Sequence, residues 1–89
     1  MQARHIVVHG RVQGVGFRYF TRAVGTGLGL TGTVGNLDDG TVEIVAEGGA
    51  RALDGFLAEV GRGPARSRVD RLDVSDIPAR GAYGAFLIV

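Results

Sequence analysis

Apolar residues in this chain recur with two different periods, and the order of those periods leaves few ways to close a core. The opening run Arg4-His5-Ile6-Val7-Val8-His9-Gly10 is β-branched and reads as a strand. From Phe17 onward, Phe20, Val24 and Leu28 sit at near-helical spacing, with Arg18, Arg22 and Thr26 between them. Glycines at Gly25 and Gly27 predict a helix that frays there, since each costs about 1 kcal/mol relative to alanine. TGTVGNL alternates weakly and runs into Asp38-Asp39-Gly40, a strong hairpin signal. Val42, Ile44 and Ala46 then share one face, with Glu43 and Glu47 on the other. Leu53, Phe56, Leu57 and Val60 give the i, i+3, i+4, i+7 stripe of an amphipathic helix, stopped by Gly63-Pro64. A further strand carries Leu72 and Val74 and ends at Ile77-Pro78, and AFLIV at the end is a short apolar strand.

The order is strand, helix, strand, strand, helix, strand, with the short strand last. Two helices of this size cover only one face of a small, mainly antiparallel sheet. The pattern therefore predicts an α+β chain, a ferredoxin-like βαββαβ sandwich with both helices on one face and an extra C-terminal strand. At 89 residues it is expected to form one domain, 1–89. Such a fold hosts many functions, so function must be read from a site.

Composition removes several chemistries. All ten basic residues are arginine, so lysine-dependent phosphate loops and Schiff bases are excluded. Without cysteine there is no disulfide, thiolate nucleophile or cysteine metal site. The net charge is +1 with charges interspersed, so no basic block points to nucleic acid or a membrane surface. No apolar run approaches the roughly 18 residues of a membrane span, and MQARHIVVHGRVQ has no signal-peptide core. A cytoplasmic monomer is the expectation.

The stretch HGRVQGVGFRYF, residues 9–20, places three glycines and an arginine where a strand gives way to a helix. GFRYF brushes against an RNA-binding pattern, but there the aromatics lie on a central strand, whereas Phe17 and Phe20 here enter a helix as core residues. Gly27 to Gly32 matches G-x-G-x-x-G with the strand and helix in the wrong order for a dinucleotide site, and reads as a helix exit. Two readings of the glycine loop stay open on spacing alone. In one it is a tight turn with a solvated arginine. In the other, Gly14 and Gly16 let N–H groups converge on an anion at a helix N-terminus, where Arg18 adds a planar two-pronged donor. His5 and His9 share a strand face but lack further ligands, so they read as solvent-facing rather than metal-binding. Asp38 and Asp39 read as turn residues, and Asn36 could likewise satisfy local backbone groups.

GRVQGVGFR, from Gly10 to Arg18, resembles the signature of the acylphosphatase family. The likeness continues through Leu28-Gly29-Leu30-Thr31-Gly32, Val34, Asn36-Leu37, Asp39-Gly40, Val42-Glu43, Ala46-Glu47-Gly48, Gly63-Pro64, Val69 and Phe86. It implies a ferredoxin-like sandwich that hydrolyses small acyl phosphates to a carboxylate and inorganic phosphate, with no metal or cofactor. Carried over by position, the backbone of Gln13, Gly14, Val15, Gly16, Phe17 and Arg18, with the Arg18 guanidinium, would hold the phosphoryl group. Asn36 would orient the attacking water. The family's GWVRN-like segment is Gly32-Thr33-Val34-Gly35-Asn36 here, and the middle of the first helix is AVGTG instead of charged helix formers. If Thr33 and Gly35 mark lost catalysis, the chain would be an anion-binding module without turnover.

Overall fold

A computed structural model describes residues 1–89. The order is β1 (Gln2–Arg11), α1 (Phe17–Gly27), β2 (Thr31–Asn36), β3 (Val42–Gly48), α2 (Ala50–Arg62), β4 (Arg68–Ile77) and β5 (Phe86–Ile88). The strands form one sheet in the order β4-β1-β3-β2-β5, antiparallel except for the β2–β5 pair. This is the α+β, ferredoxin-like sandwich that the sequence pattern predicts.

Strand alternation decides which face is buried. Ile6 and Val8 of β1, Val34 of β2, and Val42, Ile44 and Ala46 of β3 have almost no exposed surface. Both helices cover that face, α1 against β2 and β5, and α2 against β3 and β4. Leu53, Phe56 and Val60 of α2 join the same cluster as Phe17 of α1 and Phe86 of β5. The rings of Phe56 and Phe86 lie 5.7 Å apart, a tilted pair bridging α2 to the edge strand. The other face of the sheet is open. It carries His5 and His9 of β1 beside Glu43 of β3 and Asp73 of β4.

One local expectation is corrected. The first helix does not fray at Gly25 but runs regularly to Gly27 and ends in a Schellman closure. Leu30 N–H donates to Gly25 C=O at 2.9 Å and Gly29 N–H to Thr26 C=O at 3.1 Å, with Gly29 at φ +73°. Gly25 is itself buried. A Cβ there would lie 2.5 Å from Cδ2 of Phe86, so the missing side chain lets β5 pack directly on the helix. Packing, not propensity, explains that glycine.

Strand β4 lies at the sheet edge, where Leu72 reaches the core and Val74 is left exposed. The connection from β4 to β5 is tied down by Glu47, whose buried carboxylate accepts from Arg80 N–H at 3.0 Å and Gly81 N–H at 2.9 Å. No helix is long and apolar enough to cross a membrane.

Candidate active site

Sheet topology gathers the sequence-marked residues at one corner. Strands β1 and β2 both run antiparallel to β3, so they are parallel to each other and end on the same side. Val42 faces Val8 in one register and Asn36 in the other, so the end of β2 stands level with Val8. Beyond Val8, β1 continues through Arg11 into the loop that opens α1. The Gln13–Arg18 segment and Asn36 are thereby brought together from strands that are not neighbours.

Inward apolar side chains pin the loop from beneath. Val12, Val15 and Phe17 are buried, and they alternate with the more exposed Gln13, Gly14 and Gly16. Gly14 and Gly16 adopt φ +74° and +78°, the left-handed region that disfavours any side chain. A Cβ at either would meet nothing within 4 Å, so the glycines serve backbone conformation rather than space. None of the N–H groups of Gln13, Gly14, Val15 and Gly16 donates to a protein acceptor. The Gly16 carbonyl accepts from Phe20 N–H at 3.0 Å, so the N–H groups of Phe17, Arg18 and Tyr19 precede the helical ladder. No side chain caps this end, and its first turn holds no acidic residue. A row of unpaired donors at the positive end of a helix dipole is an anion-binding arrangement.

Arg18 lies in that first turn and is half-buried. Arg4, Arg62, Arg68 and Arg71 pair with carboxylates, whereas Arg18, like Arg11, Arg22, Arg51, Arg66 and Arg80, pairs with none. A cation at a helix N-terminus with no counter-charge is unfavourable unless an anion joins it. Asn36 is exposed, and its side chain makes no hydrogen bond within the protein. The turn that follows is held by other groups. Asp39 accepts from the Thr41 hydroxyl at 2.6 Å and from Thr41 N–H at 3.0 Å, which draws its carboxyl below the ordinary range.

One contact at this corner had no counterpart in the sequence reading. The Gln13 side-chain amide donates to Leu37 C=O at 2.8 Å and to Thr41 C=O at 2.9 Å. Its partners lie 24 and 28 residues away, so no local pattern marks it.

Thr33 and Gly35 stand opposite Val45 and Glu43, which puts them on the open face, while Asn36 alternates to the helix-covered face. The departure from the family segment therefore changes the back of β2 and not the side that bears Asn36. Gly35 is covered there by Val89, whose Cγ2 would lie 3.0 Å from a Cβ at this position. Elsewhere on the open face polar side chains meet across neighbouring strands. His5 Nε2 meets Glu43 at 2.9 Å and His9 Nε2 meets Asp73 at 2.8 Å, with Arg71 also on Asp73 at 3.0 Å. No three histidine, aspartate or glutamate side chains are placed to hold a metal ion. A cavity of about 460 Å³ lined by Val45, Glu47, Ile77, Pro78, Arg80 and Tyr83 lies on that open face. It is remote from the glycine loop, because Glu47 is at the opposite end of β3 from Val42. GFRYF lies in loop and helix, with Phe17 in the core and Phe20, expected there too, only half-buried at 6.0 Å from it, so it forms no stacking platform on the sheet.

Comparison with known proteins shows the family and the fold. The family model described as Acylphosphatase matches residues 4–88. The acylphosphatase of Thermotoga maritima is 51% identical over 88 residues, covering 99% of this chain and 97% of the relative. That of Mannheimia succiniciproducens is 44% identical over 88 residues, covering 99% and 98%. The crystal structure of acylphosphatase from Bacillus subtilis superposes with a TM-score of 0.96 at 43% identity, covering 100% of this chain and 99% of that one. A full-length HypF crystallised in a phosphate- and nucleotide-bound form matches 99% of this chain with 12% of its own length, at 32% identity and a TM-score of 0.87. On the family match, the full-length relatives and the fold they share, this chain belongs to the acylphosphatase family of enzymes.

Proposed function

We propose that the chain hydrolyses the carboxyl–phosphate bond of small acyl phosphates through the corner formed by the Gln13–Arg18 loop and Asn36. The backbone N–H groups of Gln13, Gly14, Val15, Gly16, Phe17 and Arg18, with the Arg18 guanidinium, hold the phosphoryl oxygens. Asn36 hydrogen-bonds the attacking water. The water oxygen bonds to phosphorus as the bond to the acyl oxygen breaks, giving a carboxylate and inorganic phosphate. Phosphoryl transfer depends chiefly on positioning and on stabilising charge over the equatorial oxygens, which is what a fixed donor row and an arginine supply. A carboxylate is already a good leaving group, so the scheme calls on no covalent nucleophile, metal or cofactor.

The observation that carries this reading is the run of four loop N–H groups without protein acceptors, leading into an uncapped helix beside an unpaired Arg18. A binding-only module was suggested by Thr33 and Gly35. Their register positions alternate away from the side that bears Asn36, which supports the catalytic reading.

Hydrolysis of benzoyl phosphate by the purified protein in EDTA tests the proposal. The expected result is turnover far above the spontaneous rate, unchanged by the chelator and inhibited by inorganic phosphate. Decay at the spontaneous rate overturns hydrolysis, and activity restored only by added divalent cation overturns the metal-free scheme.

A further inference from the structure

We infer that Gln13 is a positioning residue that sets Asn36 against the phosphoryl cradle, an inference that rests on the roles proposed for those two parts. The backbone of Gln13 opens the loop, while its side chain leaves the loop and crosses to the β2–β3 turn. Both of its contacts there are carbonyl oxygens, so the amide nitrogen must face them and both of its hydrogens are used.

These two carbonyls close the neck of the turn. Thr41 C=O also accepts from Leu37 N–H at 2.9 Å, and Leu37 C=O accepts from Gly40 N–H at 3.2 Å. Thr41 is fixed further by its two bonds to Asp39. Asn36 is therefore held on one side by its register with Val42 and on the other by a closed turn. Among these bonds Gln13 alone comes from outside the hairpin. It is the one polar link between the segment assigned to the phosphoryl group and the residue next to Asn36. Asparagine is one methylene too short for the same span, glutamate cannot donate, and methionine has similar length with no donor.

The link predicts a particular kinetic pattern. The loop remains pinned from beneath by the buried Val12, Val15 and Phe17, so losing the link shifts the Asn36 corner relative to the donors, and turnover falls while phosphate binding stays. In Gln13→Met we expect kcat to drop about tenfold, in line with roughly 1.4 kcal/mol for a lost pair of bonds. The inhibition constant for inorganic phosphate should move less than about twofold. Gln13→Glu, which sets a carboxylate against two carbonyls, should lose at least as much and provides a second variant should one fold poorly.

A double-mutant cycle separates this from general damage. Benzoyl phosphate turnover and phosphate binding are measured for wild type, Gln13→Met, Asn36→Ala and the double variant. If Gln13 acts through Asn36, adding Gln13→Met to Asn36→Ala costs nothing further. Equal fold losses in both backgrounds, a parallel loss of phosphate affinity, or unchanged turnover in Gln13→Met would each overturn the inference. Full turnover in Asn36→Ala would instead remove the role proposed for Asn36, and the inference with it.

Discussion

Arg18 and Asn36 stand out as candidates because each sits inside a short stretch whose residue types match a known pattern. The pattern conveys position along the chain, and the fold then converts position into proximity. Gln13 was named for its backbone and missed for its side chain, because a bond spanning 24 residues leaves no trace in local spacing. The histidines show the reverse. They were read as solvent-facing, and they do lie on the open face, but each meets a carboxylate from a neighbouring strand. Carboxylates held by hydrogen bonds have a consequence for stability. The carboxyls of Asp70 and Asp73 are lowered by the arginines hydrogen-bonded to them, with His9 adding to Asp73, and Asp39 is lowered by Thr41. A carboxyl lowered in the fold favours the native state above its ordinary value near 3.8, and that contribution disappears as pH falls through the lowered value. All three are exposed, so each effect is small and screened by salt. Thermal melts from pH 7 downward should show a midpoint that declines below about pH 4, more shallowly in Asp73→Asn. A midpoint flat to pH 2, or an identical slope in the variant, contradicts this assignment.

Among the elements, α1 departs furthest from its local signals. Helix propensity penalises Gly25 and Gly27 alike, and from sequence they read as one weak helix end. The fold distinguishes them. Gly25 is buried against Phe86, whereas Gly27 is exposed and a Cβ there meets nothing within 4 Å. Gly27→Ala should therefore raise stability by up to about 1 kcal/mol through propensity alone. Gly25→Ala gains the same propensity but drives a methyl to 2.5 Å from a ring that is itself buried. Overpacking of this kind costs about 1–3 kcal/mol, so the net change should be destabilising. Denaturant melts of the two variants decide it. A Gly25→Ala protein more stable than wild type would show that Phe86 has room to move. The hairpin and α2 were legible because their apolar residues repeat at a clean period. For α1 the deciding contact lies in β5, some 60 residues away.

At the scale of the whole molecule, the layer arrangement followed from counting helices and strands, since two helices can shield only one sheet face. Strand order did not follow from local pattern. That β1 lies between β3 and β4, and that β5 joins β2 in parallel at the far edge, are properties of the assembled sheet. Those pairings make the corner where the Gln13–Arg18 loop meets Asn36, and they put Thr33 and Gly35 on the other face. The proposed division of labour at that corner has the loop and Arg18 binding the phosphoryl group and Asn36 serving the water. Calorimetric titration of inorganic phosphate into wild type, Arg18→Ala and Asn36→Ala, alongside their turnover of benzoyl phosphate, tests it most directly. Arg18→Ala should lose phosphate affinity by about tenfold or more, as expected for a charge-assisted pair of bonds, and lose turnover with it. Asn36→Ala should bind phosphate as wild type does while turnover falls by about 10²–10³, the usual cost of one positioned polar group. Equal loss of binding in both variants, or unchanged binding in Arg18→Ala, would contradict the account.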